Sequence, residues 1–70
     1  MVAAIASRLR EAMEGMAVAA LSRRTGIARN HIRHIRDGVH RPMPETIDRI
    51  AVACGYRVEW ILTGEGERRA

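Results

Sequence analysis

Seventy residues make one domain, at a size where a single apolar core leaves only about 3–5 kcal/mol of net stability and self-association would support it. Apolar residues supply 47% of the chain, but with no Phe, one Trp and one Tyr the core must come from Ile, Leu, Val, Met and Ala, which favours helix over sheet. The net charge of +4 points to a polyanionic partner, while the lone Cys54 excludes an internal disulfide and makes a reducing cytoplasm the expected compartment.

In chain order, Met1 to Ala6 is apolar but too short to span a bilayer, and it lacks the basic lead of an export signal, so it reads as the first turn of a helix. That helix carries Ile5, Leu9, Ala12, Met13 and Met16 at three- and four-residue spacing, one buried face ended by Gly15. A second helix runs from about Ala17 to Thr25 with Leu21 inward, and stops at Gly26, which accepts the positive φ of a tight interhelical turn. Arg29 to Asp37 form a third, closed by Gly38. After the proline-stiffened turn Arg41-Pro42-Met43-Pro44, a fourth helix buries Ile47, Ile50, Ala51 and Cys54, with Pro44 at its permissive first position. A last short helix spans about Val58 to Thr63 and offers Val58, Ile61 and Leu62; residues 64–70 follow without pattern and are expected to form a flexible C-terminal tail. The expectation is an all-α fold of five helices and no strand, with residues 1–63 as the domain.

Charge is concentrated between Arg23 and Arg41, where Arg23, Arg24, Arg29, Arg33, Arg36 and Arg41 face one acid, Asp37, and all three histidines fall in the same stretch. All twelve basic residues are Arg, whose planar fork matches phosphate and the guanine edge, although a GC-rich genome would also produce that bias. Two helices crossing steeply need a small residue at the contact, a glycine in the turn and a branched apolar residue locking the second onto the first. Ser22, Gly26 and Ile32 meet those needs. With Ile32 and Ile35 inward, Asn30, Arg33, His34 and Asp37 share the outward face and Arg29 stands at the exposed first turn. Such a face suits the major groove, where Arg forks onto guanine and Asn onto adenine; a solvated helix face is the bland alternative.

These residues carry a resemblance. Gly26-Ile27-Ala28-Arg29-Asn30-His31-Ile32-Arg33-His34-Ile35-Arg36-Asp37-Gly38 resembles the turn and recognition helix of the phage repressor and Cro (lambda repressor-like) helix-turn-helix family. Ala51-Val52-Ala53-Cys54-Gly55-Tyr56-Arg57-Val58-Glu59-Trp60-Ile61-Leu62-Thr63-Gly64 is similar to that family's closing helix pair, and the likeness extends from about Arg8 to Gly66. It implies a compact five-helix DNA-binding domain, a transcription regulator without catalysis, and a homodimer on a roughly palindromic operator in double-stranded DNA. It implies base contacts from Arg29, Asn30, Arg33 and His34, and half-sites about one DNA turn, roughly 34 Å, apart. Phosphate contacts are expected from Arg23, Arg24, His31 and Arg41, and from the start of the second helix at Val18.

Two positions depart from the family pattern. Val18 stands where a phosphate-holding Gln is usual, and Ala28 where a Ser or Thr cap is usual; neither makes the side-chain bond expected there, leaving backbone N–H groups for a phosphate. Asp37 on a DNA-facing surface calls for a partner among Arg33, Arg36 and Arg41. Arg57, Val58 and Ile61 are expected at the dimer interface, and Trp60 as a core or interface anchor.

Other chemistries are weaker. His31 and His34 lie three apart on one helix, with His40 and Cys54 as conceivable further metal ligands, but Cys54 belongs to an apolar face, so no metal and no cofactor is expected. The histidines, when protonated, would add to the charge offered to DNA. No glycine-rich phosphate loop, paired carboxylates on one helix face or serine beside a histidine suggests an active site. Two rivals stand beside a repressor: a protein-interaction module such as an antitoxin with the same fold and a protein partner, or the DNA-binding half of a longer repressor.

Overall fold

The computed structural model describes residues 2–39 and 41–70. Among them the chain forms five helices, α1 (Val2–Met13), α2 (Val18–Thr25), α3 (Arg29–Arg36), α4 (Pro44–Cys54) and α5 (Val58–Thr63). No strand occurs among the described residues, only an isolated antiparallel bridge between Tyr56 and Arg69. The fold class expected from composition and periodicity is the one observed, and no helix is long and apolar enough to cross a membrane.

The helices close around one core because each has an apolar stripe too narrow to stand alone. Leu9, Ala12 and Met13 come from α1, Leu21 from α2, Ile32 and Ile35 from α3, Ile47, Ile50, Ala51 and Cys54 from α4, and Trp60 and Ile61 from α5. Central α4 packs on α1, α2 and α5, while α3 sits at one side against α1 and α2. Leu9, Leu21, Ile32, Ile50 and Ile61 are fully buried, each such side chain contributing about 1.5–3 kcal/mol of transfer free energy.

Helix starts and ends are built differently. None of Ala17, Ala28, Met43 and Arg57 makes a side-chain cap bond at its N-cap position. Their C-terminal ends are closed by backbone glycine turns and by arginines from distant parts of the chain. Arg8 Nε donates to the Ile61 carbonyl at 2.7 Å and its Nη2 to Leu62 at 3.2 Å, while Arg10 Nε donates to the Arg36 carbonyl at 3.0 Å. Gly64, at φ +77°, accommodates the first of these: a Cβ there would stand 3.0 Å from Arg8 Nη1.

The C-terminal residues make defined contacts with the rest of the fold. The Arg57 amide donates to the Arg68 carbonyl at 2.7 Å and the Ala70 amide to Gly55 at 3.0 Å, which returns the C-terminal residues to the α4–α5 turn. Arg68 lies over the Trp60 ring at 5.1 Å and Arg69 over Tyr56 at 4.7 Å, and Arg68 also pairs with Glu11. The physical reason is cation–π stacking on the chain's two aromatic side chains, a long-range interaction that leaves no periodicity in the tail itself.

Candidate nucleic-acid interface

The geometry of the α2–α3 corner follows from a short run of hydrogen bonds. Gly26, at φ +75°, ends α2 in the left-handed conformation, with its amide donating to the Ser22 carbonyl at 2.9 Å. A Cβ at Gly26 would meet nothing within 4 Å, so the glycine is there for its backbone angle and not for space. Ser22 Oγ donates to the Ile27 carbonyl at 2.6 Å. Buried Thr25 donates through Oγ1 to the Leu21 carbonyl at 2.7 Å and accepts the Ile27 amide at 3.1 Å. Both polar groups of Ile27 are thereby satisfied where the chain reverses, and its side chain joins the core.

From this corner α3 projects with a two-sided character. Ile32 and Ile35 are 0% and 3% exposed, fixing the helix rotation, while Arg29, Asn30, His31, Arg33, His34 and Arg36 are all exposed. The C-terminal end is tied by the Val39 amide to the His34 carbonyl at 2.8 Å and by Arg10 to Arg36. At the N-terminal end Ala28 has extended backbone and makes no side-chain cap bond, so the first-turn N–H groups have neither an intrahelical nor a capping side-chain partner.

The sequence-expected residues fall as follows. Arg29, Asn30, Arg33 and His34 share the outward side of α3, and His31 is exposed beside them. On this face Arg33 Nη1 donates to Asn30 Oδ1 at 3.0 Å. Arg23 and Arg41 are exposed; Arg24 leans on the end of α4 through a 3.4 Å bond to the Ala53 carbonyl. Val18 is half-buried against the core at the start of α2. Asp37 takes Arg36 as its partner at 3.6 Å, a surface ion pair worth little in energy but enough to offset a carboxylate at the end of a basic face. His40 lies outside the described residues. Among those described, no group of three or more His, Cys, Asp or Glu is placed to hold a metal.

One expected interface residue is corrected: Ile61 is 0% exposed and packs wholly inside its own chain, so it has no surface for a second copy. The α5 register places Leu62, 43% exposed, on the outside instead, with exposed Arg57 and half-buried Val58. Sequence reasoning also missed Thr25, Arg8 and Arg10. A threonine in the last helical turn before a glycine is a readable signal for back-bonding to the preceding turn. The two arginines leave no local signal, because their acceptors are carbonyls 53 and 26 residues away.

Comparison with curated proteins finds no match, and comparison with solved structures finds none either. The Helix-turn-helix family profile matches residues 7–61, which contain all of α2, the corner, α3 and α4, and α5 as far as Ile61. The chain therefore belongs to the helix-turn-helix family of the Cro and phage-repressor kind, whose members are DNA-binding transcription regulators.

Proposed function

We propose that this chain is an operator-binding regulator acting as a homodimer, with α3 in the major groove and DNA binding, not catalysis, as its activity. The observation that supports it best is the polarity of α3, where six exposed polar and basic side chains stand opposite two buried isoleucines on a helix held firmly at its far end. Arg29, Asn30, Arg33 and His34 are the base-reading set. Exposed Arg23 and Arg41, together with His31 and the backbone at Val18, contact phosphates, and Arg24 adds charge beside them.

The homodimer reading rests on size and shape. The domain is small enough to gain from association, and its longest dimension is 29 Å, which suits two copies side by side with recognition helices about one DNA turn, roughly 34 Å, apart. Arg57, Val58 and exposed Leu62 on α5 form the self-contact. Selection of bound duplexes from a random pool at physiological salt tests the reading: enrichment of a short inverted repeat supports it, and binding without sequence preference overturns it.

A further inference from the structure

The last four carbonyls of a helix have no partner within it and must find one elsewhere. In α3 these belong to Arg33, His34, Ile35 and Arg36. Three are taken by the turn that follows: the Asp37 amide donates to Arg33 at 2.9 Å, the Val39 amide to His34 at 2.8 Å and the Gly38 amide to Ile35 at 3.1 Å. The fourth, that of Arg36, accepts from Arg10 Nε at 3.0 Å, so this partner alone of the four comes from another helix, 26 residues away. The guanidinium lies against the Gly38 turn, with Nη2 3.9 Å from where a Cβ at Gly38 would stand. Arg10 itself rises from a fixed base, because Leu9, Ala12 and Met13 beside it on α1 are buried in the core and α1 packs on α3. Its positive charge also suits the negative end of the α3 dipole.

We infer that Arg10 is a positioning residue for base reading: by tying the last turn of α3 to α1, it keeps that turn closed before DNA is met. The inference rests on the proposed placement of α3 in the major groove and adds a residue that itself touches no base. With eight residues α3 has little more than two turns, roughly 12 Å. Arg33 and His34, half of the proposed reading set, therefore stand in the very turn that Arg10 closes. Without the Arg10 bond the turn frays, and its ordering is deferred to the moment of binding, where it costs affinity for the duplex whose bases those side chains read. Sequence-independent binding depends on charge at the phosphates and tolerates the frayed turn.

The test compares the wild type, Arg10→Met and Arg10→Gln on the duplex that the wild type selects from a random pool and on a shuffled duplex of the same composition. Arg10→Met removes charge and donors together. Arg10→Gln is equally uncharged, but its amide NH2 stands the same number of bonds from the backbone as Nε. Arg10→Met is expected to narrow the margin between the two duplexes about 10-fold, on the scale of one hydrogen bond from a charged donor, and Arg10→Gln to narrow it clearly less. A merely structural role would not move this margin, since an unfolded fraction lowers both affinities by the same factor. An unchanged margin in Arg10→Met overturns the positioning role. Equal effects of the two variants overturn it as well, and losses shared by both duplexes with a shallower salt dependence would make Arg10 a phosphate contact. These outcomes leave the operator-binding reading intact, whereas a wild type that enriches no sequence overturns both.

Discussion

Arg8 Nε donates to the carbonyl of Ile61 at 2.7 Å, joining α1 to the last turn of α5 across 53 residues of chain. The bond satisfies a helix-terminal carbonyl that a short helix cannot satisfy internally, and it ties α5 to α1. Arg8→Met keeps the aliphatic stem and removes the donors. It is expected to destabilise the fold by about 1 kcal/mol, seen as a fall in Tm of about 4–8 °C for a domain of this size.

Thr25 is expected to be more sensitive than its small side chain suggests. Thr25→Val preserves shape but strands the Ile27 amide and leaves the interhelical turn unbraced, at a cost of about 1–3 kcal/mol. Thr25→Ser keeps the hydroxyl and should lose clearly less. Urea unfolding of the two variants checks this, and equal losses would show that the hydroxyl contributes nothing to the corner.

The open start of α3 offers the opposite opportunity. Ala28 already has the extended backbone of an N-cap, φ −61° and ψ 144°, and is exposed. Ala28→Ser is expected to raise stability by about 0.5–1 kcal/mol by capping a first-turn amide, measured as a higher midpoint in urea with an unchanged slope.

How much of this was readable in advance varies with the range of the interaction. Helix positions were legible because apolar spacing and terminal glycines are local signals; α5 was anticipated at Val58–Thr63, its observed span. The outward face of α3 followed from Ile32 and Ile35 alone. What was not legible was long-range: Arg8 and Arg10 capping distant helices, and Arg68 and Arg69 stacking on Trp60 and Tyr56. Ile61 was misplaced because six residues hold fewer than two helical turns, too short for periodicity to separate a core face from an interface face.

Burial pushes the Cys54 thiol above its ordinary value, with Arg24 and Arg69 pulling more weakly the other way. The folded state therefore holds the thiol proton more tightly than the unfolded chain does. The resulting stability is complete below the unfolded thiol's pKa and is lost as pH rises through the raised folded value. At neutral pH, Cys54 should react slowly with a thiol reagent in the native protein and rapidly in urea. Rapid native reaction would show that α4 does not keep the thiol buried and protonated.

Arg41→Ala is expected to weaken binding to all duplexes alike and to reduce the slope of log affinity against log salt by about one unit, as for the loss of one phosphate contact. Affinities measured across a salt series decide it; an unchanged slope removes Arg41 from the phosphate set.

The most direct test of the central claim, that α3 reads bases, compares wild type and Arg29→Ala on the selected operator and on a shuffled duplex of the same composition at physiological salt. The account predicts that the wild type favours the operator by at least about 1,000-fold. It predicts that Arg29→Ala narrows this margin by about 1–3 kcal/mol, with little change on the shuffled duplex. Equal losses on both duplexes would contradict it, since Arg29 would then contribute charge alone.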